Sequence, residues 1–222
     1  MTRLAFNRVK AFSLAVCLLL GLSYFIGVPQ NPPGFFVDES SIAFNANSIA
    51  QHGADEHGIR FPLFFRAFGE FKSPVYIYIL AAIYKVAGPG IGAARLLSAL
   101  FGLAAAVVLG LLAAETFPAE ESRRNGRFIA GTIVFSAALL TPWLFEISRL
   151  VFEVALTPLA LALLLFAVAI ARRNGWEWRH SIAIALALSL LTYSYSVGRV
   201  LGPLLAVGLI IFAGSGTGWK AV

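Results

Sequence analysis

Two short polar stretches carry most of the side chains in this sequence that could do chemistry. The first is residues 31–46, Asn-Pro-Pro-Gly-Phe-Phe-Val-Asp-Glu-Ser-Ser-Ile-Ala-Phe-Asn-Ala, which places Asp38 and Glu39 side by side behind a Pro/Gly stop. A helix is expected to begin there, with Ser40 and Ser41 as alternative caps. Over 40–51, Ile42, Ala43, Ala46, Ile49 and Ala50 form one apolar stripe. In that position Asp38 is either an N-cap and Glu39 a dipole-compensating residue, or Asp38 is a general base at a water–lipid boundary. The second stretch, 142–156, contains Glu146, Arg149 and Glu153. If it is helical, these three share a face at i, i+3 and i+7. They would then form a local ion-pair group, or an arginine holding a lipid phosphate beside an acid that orients an acceptor or a divalent cation.

Other residues are open to two readings. Lys72, in Glu70-Phe71-Lys72-Ser73-Pro74, is a snorkelling anchor or a phosphate contact. His52, Asp55, Glu56 and His57 would make a metal site or a solvated turn. Tyr193 and Tyr195 suit an aromatic belt, or a substrate contact with Arg199. Cys17 is the sole cysteine, so neither an intramolecular disulfide nor a Cys-based zinc site can form.

The elements that must position these groups are apolar. Of 222 residues, 59% are hydrophobic and 13% charged, and the mean hydropathy is +0.82. A soluble domain carries about 25% charged residues, so lipid must solvate most of this chain. A crossing helix needs roughly 20 mostly apolar residues. Apolar runs occur at 11–28, 73–88, 91–115, 128–145, 155–171 and 181–213. The last is long enough for two crossings and is broken near 193–199, which predicts a helical hairpin. Arg3, Arg8 and Lys10 precede the first run, and no small-residue cleavage site follows it, as expected of an uncleaved signal anchor.

Basic residues set the topology. If 73–88 does not cross, then Arg3, Arg8 and Lys10, Arg123, Arg124 and Arg127, Arg172, Arg173 and Arg179, and Lys220 all fall on the cytoplasmic side. The 73–88 run is short, has Lys72 and Lys85 at its ends and holds Tyr76, Tyr78 and Tyr84, so it is expected to lie on the outer surface. The expected fold is all-α: a polytopic membrane bundle of about six transmembrane helices. The whole chain, 1–222, forms one membrane domain. Its extracytoplasmic loop at 29–90 carries amphipathic surface helices, and a shorter outer loop lies at 146–154. That loop at 29–90 holds Asp38, Glu39, Asp55, Glu56 and Glu70 out of 11 acidic residues, so acid collects on one face. The net charge of +6 is what orientation requires and calls for no nucleic-acid partner.

The order of these segments resembles the GT-C superfamily of integral-membrane glycosyltransferases, of the glycosyltransferase family 39 type, in the branch with protein O-mannosyltransferases and the lipid A aminoarabinose transferase. Five features carry the resemblance. They are the outer loop opening with Asp38-Glu39, the Lys72-Ser73-Pro74-Val-Tyr-Ile-Tyr stretch, and Gly92-Ala-Ala-Arg95-Leu-Leu-Ser-Ala-Leu-Phe-Gly102. With them go Pro142-Trp143 followed by Ser148-Arg149 and Glu153, and Leu191-Thr-Tyr-Ser-Tyr195 followed by Arg199.

The resemblance implies transfer of a sugar from a polyprenyl-phosphate donor to an acceptor hydroxyl on a lipid, glycan or protein at the extracytoplasmic side, with inversion. The enzyme would sit in a bacterial inner membrane with its N-terminus cytoplasmic. It implies Asp38 as base, Arg149 with Lys72 or Arg199 on the leaving phosphate, Glu39 and Glu153 orienting, and Tyr193 near the substrate. A divalent cation is compatible with such a site. The family pattern reads Lys-Pro-Pro where this chain reads Lys-Ser-Pro, and family members have further crossings, so the chain is expected to be an N-terminal fragment. Two other readings are half of a transporter or flippase, which would show charged or broken segments at mid-bilayer, and a membrane scaffold without chemistry, in which Asp38→Asn would change no activity.

Overall fold

A computed structural model describes residues 3–118 and 124–214; the basic positions Arg123 and Lys220 lie outside the described residues. The chain begins with α1 (Arg3–Ser23). There follow α2 (Val37–His52), a hairpin of β1 (Phe65–Ala67) and β2 (Glu70–Lys72), α3 (Pro74–Ala87) and α4 (Ile91–Thr116). Then come α5 (Arg124–Leu140), the short α6 (Pro142–Ile147), a 3-10 turn (Glu153–Leu156), α7 (Thr157–Asn174), α8 (Trp178–Ser194) and α9 (Gly198–Gly214). Two helical stretches, Ile91–Thr116 and Glu153–Asn174, are long and apolar enough to cross a membrane. The fold is mostly helical but not wholly so. β1 and β2 pair antiparallel, with Phe65 opposite Lys72; Phe68 and Gly69 take positive φ at the turn between them.

The apolar runs become helices close to where hydropathy places them, and the final run breaks between Ser194 and Gly198. The break permits close packing of α8 on α9. A Cβ at Gly198 would collide with the Leu191 carbonyl, and one at Gly202 with the Thr192 hydroxyl. Pairwise packing of α4 with α5 and α7, of α7 with α8, and of α1 with α5 builds the bundle. At Gly110 and Gly131 the α4 and α5 backbones approach so closely that a Cβ on either would stand 2.9 Å from the other's carbonyl oxygen.

α2 and α3 pack together as a separate layer. Ile42, Ala46 and Ile49 of α2 meet Tyr76, Ile77, Leu80, Ala81 and Tyr84 of α3, and Phe65, Ala94 and Val151 close the cluster. This corrects the reading of the α3 tyrosines as interfacial. Tyr76 is fully buried, with its hydroxyl 3.0 Å from the Ala94 carbonyl and 2.6 Å from Ser98 Oγ. Tyr78 donates to the Pro62 carbonyl at 2.8 Å, and Tyr84 to that of Gly90. Burial raises the pKa of all three phenols above the ordinary tyrosine value.

One close approach locks α4 to the segment after α6. A Cβ at Gly102 would stand 2.7 Å from Tyr24 Oη and 2.8 Å from Ser148 Cβ, and would overlap Ser148 Oγ. Alanine is a better helix former than glycine by about 1 kcal/mol, but over-packing a filled contact costs about 1–3 kcal/mol. Because Ser148 Cβ is fixed to its backbone, the clash wins. Gly102→Ala is expected to lower the thermal unfolding midpoint in detergent; an unchanged or raised midpoint would contradict this contact.

Candidate active site

A buried ion pair between Glu39 and Arg95 organises the site. Glu39 is 0% exposed and Arg95 1%. Glu39 lies in the first turn of α2, and its carboxylate reaches back to accept the Phe36 N–H at 2.9 Å. It also accepts Arg95 Nη2 at 3.0 Å, Arg95 Nε at 3.2 Å and the Val151 N–H at 3.0 Å. Arg95, the fifth residue of α4, donates onward to the carbonyls of Pro32 and Gly34, each at 2.6 Å. The pair therefore ties together the approach to α2, the start of α4 and the segment that leads to Glu153. Glu39 has no opening to solvent, so it cannot touch an acceptor to orient it and instead holds these segments together. Arg95, quoted in the sequence only as part of a motif, is the missed partner. An arginine near the start of a long apolar helix was the signal that could have found it.

Asp38 is neither an N-cap nor a free surface acid. Phe36 holds the cap position without a side-chain cap bond. Asp38 Oδ1 instead accepts the Lys72 ammonium at 2.8 Å, across 34 residues, while half of its side chain stays exposed. Lys72 also donates to Glu70 at 3.0 Å and is itself almost fully buried. Burial alone would lower the lysine pKa; the hydrogen bonds that its ammonium donates to Asp38 and Glu70 outweigh it, and the pKa lies above the ordinary value. The ammonium is thus charged at any physiological pH, and two of its three N–H groups are used within the protein, leaving one.

Asp38, Glu70 and Lys72 line a cleft of about 190 Å³ with Glu153, Phe71, Phe152, Tyr195 and Ser196. Glu153 begins the 3-10 turn ahead of α7 and accepts the Ser73 N–H. Four elements therefore supply the walls: the start of α2, β2, the approach to α7, and the turn between α8 and α9. The hairpin is what brings Lys72 to Asp38.

Several expected site residues lie elsewhere. Residues 142–156 do not form one helix: α6 ends at Ile147 and the chain runs irregularly to Glu153, so Glu146, Arg149 and Glu153 share no face. Arg149 is outside the cleft. Its guanidinium is buried over the Phe145 ring at 3.9 Å and donates to the Tyr24 carbonyl at 3.0 Å, fastening the exit of α1. The expectation that it shares a cavity with Asp38 is not met. Tyr193 stacks on Phe64 at 6.0 Å and does not line the cleft, whereas its neighbour Tyr195 does. Arg199 lies over Phe64 at 4.2 Å and donates to the Phe71 carbonyl at 2.8 Å, so it holds β2 against α9 from behind the cleft wall.

The side chains of Asp55, Glu56 and His57 are taken up by structural hydrogen bonds. Asp55 accepts the N–H groups of His57 and Ile59, Glu56 pairs with Asn45, and His57 bonds the Arg66 carbonyl. Among the described residues no group of three His, Cys, Asp or Glu side chains is arranged to hold a metal ion. In the cleft itself the position between Asp38 and Glu70 is taken by the Lys72 ammonium. These residues do not fit a divalent cation.

The charge distribution runs from end to end of the bundle. At the far ends of α4 and α7 and the start of α5, Glu115 is paired to Arg127 at 3.1 Å and to Arg173. α7 alone puts about 27 Å between the acidic cleft and this basic cluster. No protein-family model, curated protein or solved structure matches the chain, so its function has to be read from the chemistry of this cleft.

Proposed function

We propose that this chain is a membrane glycosyltransferase module that moves a sugar from a polyprenyl-phosphate carrier to an acceptor hydroxyl on the extracytoplasmic side. One observation carries the reading: a half-exposed carboxylate and a buried, permanently charged lysine meet at 2.8 Å in a small cleft at one end of an apolar helical bundle. α1, α4, α5, α7, α8 and α9 would be the six crossings, with both ends cytoplasmic and α2, the hairpin and α3 forming the outer layer. The basic cluster at the end opposite the cleft supports that orientation.

In this reading Asp38 takes the proton of the acceptor hydroxyl. The acceptor oxygen attacks the anomeric carbon from the face opposite the phosphate, the bond from that carbon to the phosphate oxygen breaks, and configuration inverts. The electron pair leaves with the polyprenyl phosphate. Lys72 offers its remaining N–H to that phosphate and balances the charge that grows there. Glu153 and Tyr195 line the wall available to the sugar or acceptor. Glu39, Arg95, Arg149 and Arg199 act only by holding the walls.

The test is transfer in sealed liposomes. Protein is supplied with a labelled polyprenyl-phosphate sugar, and release of polyprenyl phosphate is followed with and without a mixed-lipid acceptor fraction. Release dependent on both protein and Asp38 is expected. Equal release from the Asp38→Asn protein would overturn the proposal.

A further inference from the structure

A second concavity runs along the side of the bundle, with its charged mouth at the end opposite the acidic cleft. α1 leans on α5, and Cys17, Leu20 and the following Tyr24 share a cluster with Leu103 and Ala106 of α4. Between α1 and α4, with α5 as its floor, this leaves a groove of about 580 Å³ whose walls are almost wholly apolar. Leu14, Leu18 and Leu22 on one rim and Val107 and Leu111 on the other are exposed. From Lys10 to Phe25 the groove follows α1 for about 22 Å at the helical rise, most of the roughly 30 Å hydrocarbon core.

Its mouth is charged in one sense. Lys10 and Arg127 stand at the end where α1 and α5 begin. The local acid, Glu115, is already paired to Arg127 and Arg173. The Lys10 ammonium lies 5.9 Å above the Phe128 ring, and among the described residues it meets no carboxylate. A long apolar trough ending at a cation without an acid is complementary to one ligand class, an anionic lipid. A zwitterionic lipid would bring its own cation to the same place.

We propose that this groove holds one hydrocarbon chain of an anionic phospholipid whose phosphate sits on Lys10. The site is separate from the acidic cleft and independent of any transfer reaction, and it requires only that the bundle lie in a membrane. Cys17 lines the groove and is the sole cysteine of the chain, so it reports occupancy directly.

The experiment measures alkylation of Cys17 by N-ethylmaleimide in the full chain, in detergent, with phosphatidylglycerol or phosphatidylcholine added at equal concentration. Phosphatidylglycerol is expected to slow alkylation about fivefold more than phosphatidylcholine, the worth of one lysine against an anionic headgroup. Lys10→Glu should erase the difference between the lipids. Val107→Trp, which fills the groove, should make alkylation slow and insensitive to both. Native mass spectrometry of the unmodified protein should show one retained phosphatidylglycerol. Equal protection by both lipids, no protection by either, or slow alkylation that tracks formation of a dimer would each overturn the proposal.

Discussion

Asp38→Asn should slow sugar transfer by about 10²- to 10⁴-fold, the range for loss of a positioned general base. The substitution keeps shape and size but removes the half-exposed carboxylate that α2 presents to the cleft opposite Glu70 of β2. It also takes away one of the two carboxylates that hold Lys72, yet Glu70 remains at 3.0 Å, so the lysine keeps a partner and the fold should survive. Donor binding should therefore change much less than turnover. A loss confined to KM, with kcat unaltered, would show that Asp38 merely binds, and the base would have to be sought elsewhere in the cleft. Initial rates at several donor concentrations in liposomes separate the two outcomes.

The second large effect concerns stability. Glu39→Gln and Arg95→Met should each destabilise the protein by about 3–5 kcal/mol, because each leaves a buried charge without its partner. Both residues are essentially sealed from solvent, and four hydrogen bonds to backbone or guanidinium converge on the Glu39 carboxylate. The double variant Glu39→Leu/Arg95→Met removes both charges and should be less destabilised than the sum of the singles. Thermal unfolding in detergent, read by fluorescence or by the monodisperse fraction after heating, checks this. Single variants that unfold within a degree or two of the parent would mean that the pair contributes little. Loss of activity in these variants should accompany loss of folded protein, in contrast to Asp38→Asn.

The two predictions separate neighbours that the sequence presents as equals. Asp38 and Glu39 are adjacent, both acidic and both in the first turn of α2. Successive side chains on a helix point about 100° apart, so one faces the cleft and the other the core. The faces are assigned by what packs against α2, and α3 and α4 follow it by tens of residues. Arg149 shows the same limit. Its position after an apolar helix and before an acid suggested a phosphate contact, but it is buried away from the cleft, with Nη2 donating to backbone carbonyls 123 and 125 residues earlier and Nε and Nη1 enclosed without a hydrogen-bond partner among the described residues.

What the sequence determined by itself was everything that depends on local composition. The apolar runs at 91–115 and 155–171 became the two helices long enough to span a membrane, and the break at 193–199 became the turn between α8 and α9. The polar segment after the Pro/Gly stop did open a helix with Asp38 in its first turn. Hydropathy, turn residues and charge spacing act within a few residues, so they can be read along the chain. The tertiary structure alone decided which charges meet. Lys72 joins Asp38 over 34 residues, Arg95 joins Glu39 over 56, and Val151 joins Glu39 over 112. It also folded 65–72 into a hairpin, turned the α3 tyrosines inward, and sent Arg149 and Glu153 to different places. An ion pair at low dielectric is selected by distance and burial, and both are properties of the packed bundle rather than of any segment within it.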